Sequence, residues 1–461
     1  MLVKPDVGEA PCKNCFTCET KVDKTWTKEM VEADRASRCK NCFSCQQNVS
    51  KKPEGGSQDE FDARCRKCYR CETDVSKDIK ADLSKPQGAG PPTFTWYLFP
   101  TNGCNIACSY CYAHNKPGKM TRETMHEMLN FLFIRQPHKN INCHFFGGEP
   151  TVMWEMLVDI VQMGNEMAAN SGVTVTWSMT TNGTLLTEEK LQWIKANFRG
   201  FLLSLDGRPE THDKYRVTAK GDGTHELIPV DRILEMFPNC EVRPTINPDT
   251  AADWFEDYKW LRNKGFKSIA IEPNYEVEWS LEQIQAYENT LRQLGKYWLY
   301  ARMSGKPIRM KFVDETVTGL KQRQPPDGRM CGVGFNCSAI DHRGMLYACQ
   351  RYASYNNPEK FAIGDIQSGF DEFKLLETQA LFRSQVTGDV SKGFNCATCS
   401  VRMFCHKGCN AANIKFMDDR RVSLPMYCIL QKSSVKIGLE TLNEAGLLGI
   451  GQSDGQQKCK C

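Results

Sequence analysis

Three cysteines with a short, uneven spacing are the residues of this sequence best suited to redox chemistry. Cys104, Cys108 and Cys111 stand at positions i, i+4 and i+7. Thiolates in such short spacings are the usual ligands of iron–sulfur clusters, whereas a structural zinc ion takes four protein ligands. Three thiolates hold three irons of a four-iron cube and leave the fourth iron without a protein ligand. That open iron can bind and activate another molecule, which predicts a reaction centre.

The composition indicates a globular protein with an unusual number of thiols. The chain has 461 residues, a formal net charge of +4 and 24 cysteines. So small a charge does not predict a nucleic-acid partner, and no apolar run is long enough for a membrane helix. Because the first residues lack the apolar core of a signal peptide, we expect a cytoplasmic protein. Clustered cysteines in that compartment bind metal or do redox chemistry rather than form disulfides.

Residues 1–90 form a cysteine-rich N-terminal extension with three copies of the pattern C-x2-C-x2-C. The linkers between the copies are charged and poor in aliphatic residues, so we expect no hydrophobic core of its own here. Three interpretations stay open: binding of zinc or further iron, a substrate fused to its own modifying enzyme, or a docking arm for another protein. The cysteines concerned are Cys12, Cys15, Cys18, Cys39, Cys42, Cys45, Cys65, Cys68 and Cys71.

From residue 93 the sequence alternates between strand and helix patterns. Six β–α units over residues 93–305 predict an α/β fold with a parallel sheet curved into a partial (β/α)6 barrel of the TIM type. Thr121 and Thr187 precede amphipathic helical patterns and are expected to be N-caps. The polar and glycine-rich motifs follow the strands, and parallel sheets place their active sites at the carboxyl ends of strands.

Two of these motifs resemble those of the radical S-adenosylmethionine (SAM) superfamily. The three-cysteine motif follows the first strand, and Gly147-Gly148-Glu149-Pro150 follows the second. The resemblance covers about residues 93–305. It implies that SAM chelates the open iron and is reductively cleaved to a 5′-deoxyadenosyl radical, which abstracts hydrogen from the substrate.

The same resemblance implies which residues contact SAM. The glycine loop would lie at the amino group, Tyr110 against the adenine, and Arg216 near the carboxylate. Polar residues after the third and fourth strands would lie at the ribose and methionine. The complete set is Tyr110, Gly147, Gly148, Glu149, Pro150, Thr181, Asn182, Ser204 and Arg216.

Residues 325–430 are expected to be rich in loops, and their eight cysteines form a second pattern, which resembles the SPASM domain of peptide-modifying radical SAM enzymes. The resemblance implies two auxiliary clusters and thus three [4Fe-4S] clusters in all. Since each auxiliary cube would have four cysteines, electron transfer is favoured over direct binding of substrate. Residues 431–461 are expected to form a C-terminal helix and tail. The implied ligands are Cys331, Cys337, Cys349 and Cys409 for auxiliary cluster I, and Cys396, Cys399, Cys405 and Cys428 for auxiliary cluster II.

Together the resemblances predict a radical SAM enzyme that modifies a peptide or protein. Thioether or carbon crosslinking, as in the maturation of ribosomally made peptides, and side-chain oxidation are the expected outcomes. An electron donor such as flavodoxin or ferredoxin would reduce the enzyme. Sulfatase maturation is disfavoured, because sulfatase-maturing SPASM enzymes have an Asp base where Gln350 follows Cys349. The base is left unassigned, with Asp341 and Tyr352 nearby in sequence. The alternative class is a non-enzymatic iron–sulfur electron carrier or metal-binding protein.

Overall fold

The structure is a computed structural model that describes residues 93–113, 118–321, 331–355, 358–383, 386–419 and 421–448. The three N-terminal cysteine repeats lie outside the described residues, so the three interpretations of that region stay predictions.

Six parallel strand segments form the partial barrel that the sequence predicts. They pair in the order in which they occur in the chain, and each segment is parallel to its neighbour. The fifth and sixth segments are each broken into two short strands. The second strand of the fifth segment pairs with the second strand of the sixth. The strands are β1 (Phe94–Leu98), β2 (Asn140–Phe145), β3 (Thr174–Thr181), β4 (Gly200–Leu203), β5 (Glu241–Val242), β6 (Thr245–Ile246), β7 (Ser268–Ile269) and β8 (Glu272–Pro273).

Local backbone chemistry accounts for both breaks. Pro244 separates β5 from β6, and a proline has no N–H to donate to a neighbouring strand. Between β7 and β8 the N–H of Ile271 turns back to the carbonyl of Ile269. The six β–α units of the sequence predicted one strand at each of these places, because a pattern of side chains does not show where the backbone lacks a donor for the sheet.

Two helices begin directly after the threonines that the sequence predicts as N-caps. Thr121 Oγ1 accepts the N–H of Thr124 at 3.1 Å, and Thr187 Oγ1 accepts that of Lys190 at 3.4 Å. No helix in the described ranges is long and apolar enough to cross a membrane. The helices are α1 (Arg122–Asn130), α2 (Trp154–Ser171), α3 (Glu188–Asn197), α4 (Pro209–His212), α5 (Val230–Met236), α6 (Trp254–Lys264), α7 (Leu281–Met303), α8 (Lys311–Lys321), α9 (Gln350–Ala353), α10 (Glu372–Arg383), α11 (Asn410–Met417) and α12 (Pro425–Glu444).

The two faces of the barrel sheet differ in chemistry. On one face Trp96, Cys143 and Met179 are fully or almost fully buried in the main hydrophobic core. Burying a large apolar side chain contributes roughly 1.5–3 kcal/mol. On the other face His144 makes hydrogen bonds of 2.8 and 2.9 Å with the hydroxyls of Ser178 and Thr180. The alternation thus supplies a helix-covered core and a polar face from the same strands.

Four further strands of the C-terminal region continue the same sheet beyond β1. They are β9 (Cys337–Ile340), β10 (Met345–Tyr347), β11 (Ala362–Asp365) and β12 (Gly369–Phe370). β9 pairs in parallel with β1, and this covers an edge that would otherwise leave backbone groups unpaired. The sequence indicated only a loop-rich segment here, because all four residues of β9 are buried and show no alternation.

Candidate active site

The loop that carries Cys104, Cys108 and Cys111, called the cysteine loop, is held by hydrogen bonds to the segment after α4. The N–H of Ala107 donates to the carbonyl of Val217 at 2.7 Å, and that of Ser109 donates to Tyr215 at 3.1 Å. Cys104 and Cys111 are exposed, and Cys108 is half-buried. Two long-range backbone bonds therefore hold a loop that leaves its thiols accessible at the end of β1.

The arrangement of these thiols suits a multi-iron cluster. Burial raises the pKa of Cys108 to about 11; the charge of Arg216 opposes this, and those of Cys111 and Cys104 add to it. The three thiols are thus electrostatic neighbours. Among the described residues, no three His, Cys, Asp or Glu side chains converge on a point for one metal ion. In a cube each thiolate binds a different iron, so three thiolates are enough, whereas a structural zinc ion takes four protein ligands.

The glycine loop packs directly against the cysteine loop. The N–H of Gly148 donates to Thr101 at 3.2 Å, and that of Glu149 donates to Gly103 at 3.0 Å. A Cβ at Gly148 would lie 2.1 Å from the carbonyl oxygen of Gly103. A Cβ at Gly147 would lie 2.1 Å from that of Thr101, and its φ is +127°. Only glycines allow this approach of the two loops.

We expect Gly148→Ala to weaken SAM binding by about tenfold or more, which corresponds to about 1.4 kcal/mol. The added methyl would push the glycine loop away from the cysteine loop. Gly172→Ala is the control, because Gly172 has a φ of +66° but nothing within 4 Å of an added Cβ. Equilibrium dialysis with labelled SAM compares the two. Equal SAM affinity in Gly148→Ala and wild type would contradict this role of the contact.

Glu149 ties the ends of β2 and β3 together. Its Oε1 accepts the N–H and hydroxyl of Thr151 at 3.1 and 2.6 Å and the hydroxyl of Thr181 at 2.8 Å. Its Oε2 accepts the N–H of Asn182 at 2.7 Å. Burial raises the pKa of Glu149, and these donors oppose the shift. The carboxylate therefore organises the loops from within, and a direct contact of the glycine loop with SAM stays a prediction.

Residues after β3 and β4 approach the cysteine loop. The amide of Asn182 donates to Asn105 Oδ1 at 3.0 Å and lies 3.8 Å from Cys104 Sγ. The N–H of Ser204 donates to the carbonyl of Thr181 at 2.9 Å. The polar residues predicted to meet the ribose and methionine of SAM thus lie side by side at one edge of the sheet.

Asp206 is a site residue that the sequence motifs did not single out. Tyr110 donates its hydroxyl to Asp206 Oδ2 at 2.5 Å, and the backbone N–H of Thr245 donates to Oδ1 at 2.9 Å. Arg216 donates Nε and Nη2 to the two oxygens at 2.9 and 3.3 Å. Asp206 follows the fourth strand segment, at Leu205-Asp206-Gly207, and this position is the signal that could have identified it.

The pair of Asp206 and Arg216 also orients Tyr110. Both charged side chains are buried, and Arg216 Cζ lies 5.3 Å from the centroid of the Tyr110 ring. Burial raises the pKa of Tyr110 well above its usual value, so its hydroxyl stays protonated and donates. The bonds to Asp206 use Nε and Nη2 of Arg216, which leaves Nη1 as the guanidinium atom best able to meet a ligand carboxylate.

We expect Asp206→Asn to cost about 3–5 kcal/mol of stability, because it leaves the buried charge of Arg216 uncompensated. SAM binding should fall further, since Tyr110 and Arg216 would both lose their orientation. Asp257→Asn is a matched control: Asp257 is also fully buried and pairs with Arg208 at 2.9 Å. Urea unfolding and SAM titration of both variants check this. A loss of SAM affinity no greater in Asp206→Asn than in Asp257→Asn would refute the assignment.

The eight C-terminal cysteines lie in two groups of neighbours. In the first, burial and the charges of Cys409 and Cys337 raise the pKa of Cys349, and Cys337 Sγ lies 3.8 Å from the carbonyl of Cys331. In the second, burial raises the pKa of Cys428 to about 12, with smaller contributions from the other thiols of the group, Cys405, Cys396 and Cys399. This donor chemistry fits two four-thiolate cubes; binding of iron stays a prediction.

Asp341 and Tyr352, which lie near Cys349 in the sequence, are both buried in contacts with other side chains, and neither is assigned as the base. Asp341 is fully buried and accepts bonds from Arg343 and the hydroxyl of Tyr347. Tyr352 is also buried, and its ring stacks on Phe361 with centroids 5.0 Å apart. Both therefore support the C-terminal strands and α9. Gln350 is the first residue of α9.

Comparison with known proteins agrees with this geometry. The family model of the radical SAM superfamily matches residues 98–271. A cysteine-type anaerobic sulfatase-maturating enzyme of Clostridium novyi is 24% identical over 333 residues, which cover 67% of this chain and 85% of that protein. The structure of anSMEcpe with bound AdoMet matches with a TM-score of 0.61 and 21% identity, over 77% of this chain and 100% of that one.

A second solved structure extends the similarity over more of the chain. SuiB of Streptococcus suis, bound to S-adenosylmethionine, matches with a TM-score of 0.50 and 14% identity. The match covers 87% of each chain. At these identities the structural matches establish the shared fold alone, and they agree with the partial barrel described above.

Proposed function

The chain is an enzyme of the radical SAM superfamily, and on that premise we propose that it modifies a side chain of a peptide or protein. The observation that carries the proposal is the convergence of three loops on accessible thiols. The cysteine loop, the glycine loop and the buried pair of Asp206 and Arg216 meet at the carboxyl ends of β1, β2 and β4. Such a site supports the binding of one small charged cofactor beside an open iron.

When bound, the cluster and SAM supply a one-electron reductive cleavage that yields a hydrogen-abstracting species. The residues of this chain bind and orient. Arg216 would meet the carboxylate of SAM through Nη1, and Tyr110 would lie along the adenine. The backbone of Gly147 and Gly148 would approach the amino group, because no side chain stands in the way. Chelation and these contacts would hold the reacting atoms close together in the right orientation, and this proximity lowers the barrier of the reaction.

Peptide modification is favoured by the C-terminal thiol groups. Two further four-iron cubes, held by four cysteines each, would give three [4Fe-4S] clusters and a route for electrons to or from the substrate. The outcomes consistent with such a route are a thioether, a carbon crosslink, or oxidation of a side chain. A donor such as flavodoxin or ferredoxin would supply the electron for SAM cleavage.

Sulfatase maturation is the second candidate. The similarity to the Clostridium novyi enzyme, which spans 85% of that protein, favours it. Gln350 disfavours sulfatase maturation, because a neutral amide cannot accept a proton at neutral pH. We therefore rank modification of another peptide or protein first.

A mass measurement on the full chain tests the proposal and separates the interpretations of residues 1–90. The reconstituted, reduced protein is incubated with SAM under anaerobic conditions, alone and with a sulfatase-derived cysteine peptide. Loss of hydrogens within residues 12–71 identifies a fused substrate, and a mass change of the added peptide identifies sulfatase-type activity. The Cys104→Ala variant is the control. Formation of 5′-deoxyadenosine without any modified product would count against a fused substrate and against sulfatase maturation, and would leave a separate peptide or protein as the substrate.

The double variant Cys396→Ala/Cys399→Ala should lose about four of about twelve irons, because auxiliary cluster II would lack two ligands. It should still cleave SAM, since the cysteine loop after β1 is untouched. Iron analysis and a 5′-deoxyadenosine assay measure both effects. An unchanged iron content would show that these cysteines do not hold a cluster.

A further inference from the structure

One arginine lies between the loop of Cys104, Cys108 and Cys111 and the first auxiliary group. Arg351 stands two residues after Cys349, and its Cζ lies 4.1 Å from the centroid of the Tyr112 ring. Tyr112 directly follows Cys111. The stacked pair is therefore a direct contact between the segments that carry two different sets of thiols.

A lysine reaches the same place from the segment that follows another cysteine of the first auxiliary group. Lys415 lies on α11, which begins directly after Cys409, and its Nζ is 3.9 Å from Glu276 Oε2. Arg351 pairs with Oε1 of the same carboxylate. The side chains of Arg351 and Glu276 are each only 15% exposed, and that of Lys415 is 25% exposed. We call Arg351, Lys415 and Glu276 the charge bridge.

The charge bridge carries one net positive charge. One thiol of the first auxiliary group lies close enough to act on it: after burial, Cys409 has the largest effect on the pKa of Arg351. A cube held by four thiolates is anionic, and reduction adds one more negative charge. A positive charge in a poorly solvated place stabilises the reduced form, because the reduction potential follows net charge and exposure.

We propose that Arg351 raises the reduction potential of auxiliary cluster I, held by Cys331, Cys337, Cys349 and Cys409, and that Glu276 limits this effect. Within the proposed function, this makes auxiliary cluster I a better electron acceptor than it would be without Arg351. The substrate first loses a hydrogen atom to the 5′-deoxyadenosyl radical. If auxiliary cluster I is bound and oxidised, it would then accept one electron from the substrate radical, which would release one proton to solvent.

A redox titration of the full, reconstituted protein tests the proposal without SAM or substrate. Electron paramagnetic resonance follows each cluster in wild type, Arg351→Gln, Arg351→Lys and Glu276→Gln. At the wild-type midpoint of auxiliary cluster I, Arg351→Gln should lower the ratio of reduced to oxidised cluster about tenfold, or 59 mV for one electron. Arg351→Lys keeps the charge and should shift the ratio less, and Glu276→Gln should raise it.

Arg309→Gln is the matched control, because Arg309 is 73% exposed and pairs with Asp314 away from the charge bridge. An unchanged ratio in Arg351→Gln, or an equal shift of all clusters, overturns the proposal. If Arg351→Gln fails to hold iron, Glu276→Gln decides, and a ratio that does not rise then overturns it. Because SAM is absent from the titration, failure of the proposed function would appear separately as missing 5′-deoxyadenosine.

Discussion

Cys108→Ala is expected to abolish the formation of 5′-deoxyadenosine and to lower the iron content from about twelve to about eight per chain. Only three thiolates are available in the loop after β1, so a cube that loses one of them cannot keep an open, SAM-binding iron. Cys108 is half-buried in a loop held by the backbone bonds of Ala107 and Ser109. The loss of stability should therefore stay within about 1 kcal/mol.

Cys240→Ala is the control for this prediction. Cys240 is buried just before β5 and belongs to none of the three thiol groups. It should keep full iron and activity. Iron analysis, visible absorption and quantification of 5′-deoxyadenosine under anaerobic conditions compare the two variants. Substantial SAM cleavage by Cys108→Ala, or equal losses in both variants, would contradict the assignment of the catalytic cluster.

Glu149→Ala should both destabilise the barrel and remove SAM binding. The carboxylate accepts four bonds from buried groups of Thr151, Thr181 and Asn182. A buried donor that loses its acceptor costs about 1–3 kcal/mol, so we expect a loss of about 3 kcal/mol or more in the free energy of unfolding. The loops after β2 and β3 would separate, and the site would lose its shape.

Glu149→Gln separates charge from shape. The amide keeps one acceptor oxygen but turns an NH2 group towards donors, so we expect an intermediate loss of stability and affinity. Glu188→Ala is the control, because that carboxylate pairs with Arg232 at the surface. Urea unfolding and SAM titration measure the series. SAM affinity in Glu149→Ala equal to that of Glu188→Ala would show that the network does not support the site.

The sequence predicted the barrel because its strand patterns alternate with helical patterns that are long enough to show periodicity. The N-caps Thr121 and Thr187 and the parallel order of β1 to β4 follow from local patterns. β9 to β12 were missed because these strands have two to four residues, too few for a period to appear. β9 and β1 are far apart in the chain, so no local sequence pattern predicts that they pair.

The site was predictable where function lies in contiguous motifs and unpredictable where it lies in contacts. The cysteine and glycine motifs can be read directly, because each lies within a stretch of no more than eight residues. Asp206 contacts Tyr110 and Arg216, which lie on different segments. The contact of Tyr112 with Arg351 likewise joins residues that only the folded chain brings together. Such pairs depend on tertiary packing, which a single sequence does not encode in any local window.

The most direct test is a quantitative assay of SAM cleavage by the full chain. The protein is reconstituted with iron and sulfide without oxygen, reduced with dithionite and supplied with SAM. We predict about twelve irons per chain and 5′-deoxyadenosine in amounts that depend on SAM and on Cys104, Cys108 and Cys111. A chain that holds these irons but forms no 5′-deoxyadenosine would be an electron carrier, and the assignment of a catalytic, SAM-cleaving cluster to the loop after β1 would be wrong.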